Sequence, residues 1–348
     1  MWKLPDGRSE DVFEDYKTAY SPAQAVAEAN RCLYCFDAPC VRACPTHIDI
    51  PGFIRRISTG NVKGSAKTIF ESNILGASCA RVCPVEVLCV GDCVYNEAGI
   101  PPIQIGRLQR HATDAALEQG WRFFEAGANT GKSVALIGAG PASLAAAHEL
   151  RRMGHACTIY ERAAVPGGLN VTGVAPYKLR ADDAMAELTW VLGIGGVEML
   201  LGVEVGKDVA YDELSRAHDA VFIGVGLGPD RSLPGADLRG VMGAVAWIER
   251  MKLGHVNVDG VLHAAVIGGG NTAVDCVREL RGLSVPCVSM IYRGTEAKMS
   301  GYAHEWDAAK KEGALSVWNA SPAGFVGDEA VSAVRCTASN GNAFEVPA

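Results

Sequence analysis

The chain has 348 residues, enough for two or three domains, and 49% of them are hydrophobic, which excludes a wholly disordered protein. Its net charge of −7 argues against a surface that binds nucleic acid or an anionic membrane. The sequence contains neither an apolar run of about 18 residues nor a signal-peptide core, so we expect a cytoplasmic protein with no membrane span. In that reducing compartment, twelve cysteines indicate metal ligands or free thiols rather than disulfides.

The cysteines and glycines occupy different parts of the chain. Eight of the twelve cysteines lie within residues 32–93, whereas glycine accumulates after residue 137. This change in composition predicts a small cysteine-rich domain, joined near residues 125–131 to a glycine-rich α/β region. We place the domain boundaries at residues 1–125, 126–233 and 234–348.

Helical signals dominate the cysteine-rich part. Ser21 followed by Pro22 is typical of a helix N-terminus, with serine at the N-cap and proline in the first turn. No stretch of this part has the two-residue alternation of a half-buried strand, so we expect an α-helical domain. The predicted helices are residues 22–30, 51–58 and 62–71.

After residue 132, short apolar strands alternate with helices, and glycines join each strand to its helix. Two such units begin about 130 residues apart, which predicts two Rossmann-like nucleotide-binding domains with parallel sheets. The predicted strands are residues 133–137, 157–160, 264–267 and 288–292, and the predicted helices are residues 141–153 and one that ends at residue 282.

The spacing of the cysteines predicts iron–sulfur clusters. Loops of two to four residues let successive thiolates surround one cluster, and a cysteine followed by proline is typical of two-cluster ferredoxins. Seven or eight thiolates are nearly enough for two four-iron clusters. Zinc is the competing metal, but structural zinc sites favour paired C-x2-C units, and only one occurs here. The two groups are Cys32, Cys35, Cys40 and Cys44, and Cys79, Cys83, Cys89 and Cys93.

The first glycine turn follows a predicted strand and begins a helix. Gly138 permits a tight turn, and Gly140, just before Pro141, lets the backbone approach a pyrophosphate at the helix N-terminus. Glu161 ends the next strand, where a carboxylate can accept hydrogen bonds from both ribose hydroxyls. Ser143 stands where glycine or alanine is usual, which we expect to keep helix and strand slightly further apart.

The second glycine turn has the same placement but no carboxylate after it. Arg293 follows the next strand instead, and an arginine there can pair with a 2′-phosphate, which favours NADP over NAD. Arg293 is followed by Gly294, so the alternative that it stacks on adenine or faces solvent stays open. The residues of this turn are Gly268, Gly270, Asn271, Thr272 and Ala273.

The sequence contains no pattern typical of dithiol exchange or hydrolysis. Cys157 is the only cysteine between residues 144 and 267, so no C-x2-C pair is available to exchange electrons with a flavin. H-E-x-x-H and G-x-S-x-G are both absent. Electron transfer therefore remains as the predicted function.

The order of these features resembles a known family. Two cysteine groups precede a glycine turn with Glu161, then Gly168-Leu169, then a second glycine turn with Arg293. That order is similar to the flavin–iron–sulfur electron-input module shared by the glutamate synthase small subunit and the N-terminal half of dihydropyrimidine dehydrogenase. The stretches 73–84 and 103–109 resemble the dihydropyrimidine branch more closely.

The resemblance implies two [4Fe-4S] clusters, FAD in the first nucleotide domain, and NAD(P)H in a second domain inserted into the first. It also implies how the ligands divide, which spacing alone does not predict, with Cys79 outside both sets. One cluster would use Cys32, Cys35, Cys40 and Cys93, and the other Cys44, Cys83, Cys89 and Gln109. The further implied flavin contacts are Arg162, Gly168, Leu169, Lys178 and Gly224.

In family members, the chain also returns to the FAD domain after the inserted NAD(P)H domain. The returning segment includes a helix whose N-terminus faces the flavin. This chain ends at Ala348 without that segment, so we expect either a fragment or a partner that supplies the missing piece.

We therefore expect an electron-input subunit that takes hydride from NAD(P)H onto FAD and passes single electrons to a catalytic partner subunit in a hetero-oligomer. Three alternatives stay open: a glutamate synthase small subunit, a non-catalytic wiring subunit, and a zinc-stabilised nucleotide-binding module.

Overall fold

The computed structural model describes residues 2–228 and 232–348. These residues form two compact units. The first comprises residues 15–174 and 178–226 with the start of the chain, and the second comprises residues 4–14 and 175–177 with the described residues after 226. The boundaries predicted at residues 125/126 and 233/234 remain predictions.

The cysteine-rich part is helical, and no strand occurs in residues 2–125, which confirms the predicted class. Phe53, Ile57, Ile69 and Leu108 are fully buried where the third, fourth and sixth helices pack together. Ser21 caps the first helix through a reciprocal pair of hydrogen bonds with Gln24. The helices are α1 (Pro22–Ala29), α2 (Pro39–Ala43), α3 (Ile50–Ser58), α4 (Val62–Ser72), α5 (Gly76–Val82) and α6 (Ile105–Glu118).

A four-stranded parallel sheet follows in the same unit, with strand order β3-β2-β1-β4. Its inner strand β1 has the three consecutive buried residues Val134, Ala135 and Leu136, as expected for a strand covered on both faces. The elements are β1 (Ser133–Ile137), α7 (Pro141–Arg152), β2 (Ala156–Glu161), α8 (Leu169–Thr172), α9 (Ala181–Leu192), β3 (Val197–Leu201), α10 (Tyr211–Ala217) and β4 (Ala220–Ile223).

Helix α9 packs against the cysteine-rich helices. The Trp190 ring stacks on Phe70 of α4, with ring centroids 4.4 Å apart, and its indole N–H donates to the carbonyl of Trp121 at 2.7 Å. The four-stranded sheet and the cysteine-rich helices therefore belong to one compact unit.

The second unit contains a three-stranded parallel sheet, β5-β6-β7, and a three-stranded antiparallel sheet, β10-β9-β8. The first confirms the predicted second Rossmann-like element, whereas the antiparallel sheet was not predicted. The elements are α11 (Ala244–Leu253), β5 (His263–Ile267), α12 (Asn271–Gly282), β6 (Cys287–Tyr292), α13 (Ala303–Lys311), β7 (Leu315–Trp318), β8 (Ala320–Val326), β9 (Ala333–Ala338) and β10 (Ala343–Pro347).

Within the described residues, no helix combines the length and the apolar character needed to cross a membrane.

Candidate functional site

Four cysteines from three segments share one apolar recess. Cys32 and Cys35 follow α1, Cys40 lies in α2, and Cys93 lies in the connection between α5 and α6. Burial and then the neighbouring thiol of Cys35 raise the pKa of Cys32. Burial and the charges of Cys32 and Cys93 raise the pKa of Cys40 to about 12. The structure thus brings together the four cysteines that the resemblance assigns to one cluster, and their role as ligands stays a prediction.

A second group of thiols lies around the end of α5. Burial and the neighbouring Cys44 raise the pKa of Cys89 to about 12. A hydrogen bond with Cys79, together with burial, raises the pKa of Cys83, which directly follows α5. The side chain of Gln109 is buried, and its amide N–H donates to the carbonyl of Gly76 at 2.8 Å.

Cys79 also belongs to this second group by position. Its pKa is lowered to about 7 by a hydrogen bond with Cys83, against the effect of burial, and is lowered further by Gln109. The family pattern assigned Cys79 to neither cluster. The sequence signal for the contact between Cys79 and Cys83 was their spacing, because residues four apart lie on the same face of a helix.

The donor set fits iron–sulfur clusters. Thiolates are the protein ligands of such clusters, and each must lose its proton to bind iron. Because burial raises the pKa values of Cys40 and Cys89, these two thiols would lose their protons when a cluster binds. Within residues 2–228 and 232–348, no three His, Cys, Asp or Glu side chains lie close enough to hold a single metal ion.

The first glycine turn has the backbone geometry of a nucleotide cradle. Gly138 has φ +92°, and a Cβ there would lie 2.6 Å from the carbonyl oxygen of Gly224. Gly140 is the N-cap of α7, and a Cβ there would have only the Cα of Gly168 within 4 Å. The space in front of this helix N-terminus is therefore open enough for a phosphate.

Glu161 lies at this turn, as its position predicted. One carboxylate oxygen accepts the Ala139 N–H at 2.6 Å, and the other accepts the Ala163 N–H at 2.8 Å. These bonds orient the carboxylate, and each oxygen keeps a second lone pair for a ribose hydroxyl. Arg162 is exposed beside it, and Lys178 is half-buried before α9.

Ser143 departs from the usual glycine or alanine, and Gly224 accommodates it. Ser143 is fully buried, and a Cβ at residue 224 would lie 2.2 Å from its hydroxyl oxygen. Gly224, which the resemblance implied as a flavin contact, also leaves room for Ser143, because a larger residue just after β4 would collide with α7. Gly168 similarly needs to be small, since a Cβ there would lie 2.8 Å from the Cα of Gly140.

The second glycine turn repeats this arrangement in the second unit. Gly268 has φ +131°, and Gly270 caps α12 with only the Ser300 hydroxyl within 4 Å of an added Cβ. The Asn271 side-chain oxygen accepts the Tyr302 N–H at 2.9 Å and thereby holds the loop before α13. The neighbouring Thr272 is exposed and Ala273 is buried.

Arg293 is exposed just after β6, at the carboxyl end of the strand that follows this turn. Nearby, Gly269 faces the Tyr292 ring, where an added Cβ would lie 2.7 Å from a ring carbon. The Tyr292 hydroxyl donates to the Lys298 carbonyl at 2.9 Å, which fixes the loop that carries Arg293.

Two family models match the chain. Residues 8–121 match the model described as dihydropyrimidine dehydrogenase domain II, 4Fe-4S cluster. Residues 132–348, more than half of the chain, match the pyridine nucleotide-disulphide oxidoreductase model. The chain belongs to the pyridine nucleotide-disulphide oxidoreductase family.

Individual relatives of this oxidoreductase include subunits of two larger enzymes. It is 36% identical to the NAD-dependent dihydropyrimidine dehydrogenase subunit PreT of Escherichia coli O157:H7, over 92% of this chain and 77% of the relative. It is 34% identical to the glutamate synthase [NADPH] small chain of Halomonas elongata, over 93% of this chain and 70% of the relative. The resemblance inferred from the motifs is thereby confirmed.

Solved structures agree with the fold of the oxidoreductase. Mycobacterium tuberculosis FprA in complex with NADPH is 20% identical, with a TM-score of 0.52 over 62% of this chain and 69% of that one. The 2-naphthoyl-CoA reductase complex is 16% identical, with a TM-score of 0.53 over 86% of this chain and 44% of that one.

The oxidoreductase therefore uses 4Fe-4S, FAD and NAD(P)H, and its function is that of an electron-input subunit. The disulphide chemistry in the family's name has no counterpart in its sequence between residues 144 and 267, where Cys157 stands alone.

Proposed function

We propose that this oxidoreductase passes electrons from NAD(P)H through FAD and two [4Fe-4S] clusters to a separate catalytic subunit of the dihydropyrimidine dehydrogenase type. The observation that carries the proposal is the presence of two groups of sulfur donors, one in the recess after α1 and one around the end of α5. Two groups of donors on one compact unit provide for two separate one-electron centres.

The proposed ligands follow these two groups. The apolar lining of the first recess, which includes Ile54 and Ile103, would exclude water from the cluster held there. The ligands of the first cluster are Cys32, Cys35, Cys40 and Cys93, and those of the second are Cys44, Cys83, Cys89 and Gln109.

The glycine turns would hold the two nucleotides. When bound, FAD supplies hydride acceptance and one-electron release, and the clusters supply single-electron conduction. Gly138 and Gly140 keep the backbone near the FAD pyrophosphate, and the oriented Glu161 carboxylate accepts the ribose hydroxyls. Gly268 and Gly270 keep the backbone near the pyrophosphate of NAD(P)H. The remaining proposed contacts are Pro141, Ser143, Arg162, Gly168, Leu169, Lys178, Gly224, Asn271, Thr272, Ala273 and Arg293.

The relatives support two candidate classes of partner substrate and both nicotinamide nucleotides. The PreT relative is named as NAD-dependent and the glutamate synthase relative carries NADPH in its name, while Arg293 provides a cation for a 2′-phosphate at this turn. The second candidate function is therefore that of a glutamate synthase small chain, favoured by its 34% identity over 93% of this chain.

The proposed compartment is the cytoplasm, because none of the twelve cysteines forms a disulfide and a reducing environment would keep them available as ligands or thiols.

Anaerobic purification with added FAD tests the proposal. We expect about eight irons per chain, bound flavin, and reduction of an artificial acceptor by NADH or NADPH. Clusters without flavin would instead favour a wiring subunit, and colourless, zinc-containing protein would refute the proposal. Addition of candidate partner subunits with a pyrimidine or with glutamate precursors then separates the two candidate enzymes.

A further inference from the structure

Helix α5 packs against helix α9 and carries part of the second group of thiols. It begins at Gly76, whose carbonyl accepts the Gln109 amide, and its C-cap is Cys83. Two proposed ligands of the second cluster thus lie at opposite ends of a helix of seven residues. Charges held at these ends would lie close to a cluster bound there.

A carboxylate from α9 holds the first end. Glu187 is 1% exposed and accepts the backbone N–H groups of Ala77 at 2.7 Å and Ser78 at 3.0 Å, as well as the Ser78 hydroxyl. These amides follow Gly76, the residue to which Gln109 is bonded. When it is ionised, Glu187 therefore places a negative charge beside one proposed ligand.

A lysine holds the other end. The Lys17 ammonium donates to the Cys83 carbonyl at 3.1 Å, and its side chain is 17% exposed. The Glu86 carboxylate lies 3.5 Å from it and is more exposed, so it only partly offsets the charge. Lys17 therefore places a positive charge beside another proposed ligand.

We propose that Lys17 and Glu187 are opposing positioning residues that set the reduction potential of the second cluster. This inference rests on the proposed function, because it requires a cluster at Cys83 and Gln109.

The physical argument is electrostatic. Reduction adds a negative charge to a cluster, which a nearby cation stabilises and a nearby anion opposes. Both charges also complement the dipole of α5, so they fix the helix while they shift the potential in opposite directions. Helix α5 itself carries one buried charge, that of Arg81. Arg81 is paired with Asp114 and Asp183 and is left unchanged in the test below.

The test is an EPR-monitored redox titration of anaerobic holoprotein carrying K17Q or E187Q. Burial raises the pKa of Glu187 to about 7, so a titration at pH 8.5 keeps its carboxylate ionised. We expect K17Q to make reduction of the second cluster about tenfold less favourable, a fall of about 59 mV. We expect E187Q to make it several-fold more favourable, while the potential of the first cluster stays constant in both variants.

The matched controls are K67Q and E71Q, which remove one exposed ion pair of α4 and cause the same changes in net charge. They should leave both potentials unchanged. Shifts of the same sign in K17Q and E187Q, or shifts no larger than in the controls, would overturn the inference. Should E187Q lose its iron, K17Q decides alone, since its shift has its own predicted sign. Absence of iron from the wild-type protein would instead refute the proposed function.

Discussion

Gly140 and Gly270 hold equivalent positions in the two units, each as the N-cap of the helix that follows a glycine turn. Their φ angles, −79° and −94°, are ordinary for alanine, and an added Cβ at either residue has open space around it. A methyl group there would meet a bound pyrophosphate rather than the protein itself.

We therefore predict that G140A and G270A fold normally and each lose one nucleotide. G140A should retain less than a tenth of the flavin after gel filtration, and G270A should keep its flavin but raise the KM for NAD(P)H at least tenfold. Flavin absorbance and steady-state kinetics measure both effects, and thermal unfolding serves as the control for folding. Loss of flavin from G270A with retention in G140A would contradict the assignment of the two sites.

His148 on α7 provides a pH test at a distance from the proposed cluster ligands. Burial, and then the charge of Arg152, lowers the pKa of His148 to about 4, and its ring packs edge-on against Phe124. The unfolded chain binds the proton with an ordinary pKa, so stability is complete above about pH 6.5 and falls as the pH approaches 4.

Between pH 7 and pH 5.5 this single group should cost about 1 kcal/mol of the free energy of unfolding. H148Q should lack that part of the pH dependence, as measured by urea denaturation of both proteins at the two pH values. Equal losses in the wild-type protein and H148Q would show that His148 is not neutral in the fold.

At the scale of elements, the short helix α5 shows what cysteine spacing predicts and what it does not. Spacing alone indicates two groups that follow the order of the sequence. In the structure Cys93 instead joins the earlier group, in the recess after α1, and Cys79 lies against Cys83. Only the resemblance predicted that Cys93 joins Cys32, Cys35 and Cys40. Spacing could not predict it, because the packing of the helices decides which thiols meet.

Three serine variants test this division. C35S and C89S should each lose about half of the iron and the EPR signal of a different cluster, because each would lose one thiolate ligand. C79S should retain the full iron content, since Cys79 is proposed to touch the second cluster's ligands without binding iron. Loss of half of the iron in C79S would make Cys79 a ligand in place of Gln109.

The predicted elements were those with strong local signals. Helix α1 has its serine cap and proline, and β1, β2, β5 and β6 are short apolar runs next to glycine turns. The antiparallel sheet β8–β10 was not predicted, because β8 contains Pro322, Gly324 and a break in register, which hide the two-residue alternation.

At the scale of the whole molecule, sequence order alone predicted a thiol-rich helical part, followed by one nucleotide-binding element and then another. Sequence order did not predict the packing between segments that lie far apart in the chain. Glu187 lies 109 residues from Ser78 in sequence, yet it caps the helix that carries Cys79. Such contacts depend on tertiary structure, and no local period or spacing encodes them.

The most direct test of the central claim is an EPR spectrum of anaerobic, FAD-loaded protein before and after NADH or NADPH is added. The account predicts that signals of reduced [4Fe-4S] clusters appear with at least one of the two nucleotides, and that they fall in proportion to the remaining flavin in G140A. Protein that contains iron and flavin but gives no cluster signal with either nucleotide would contradict electron input through this chain.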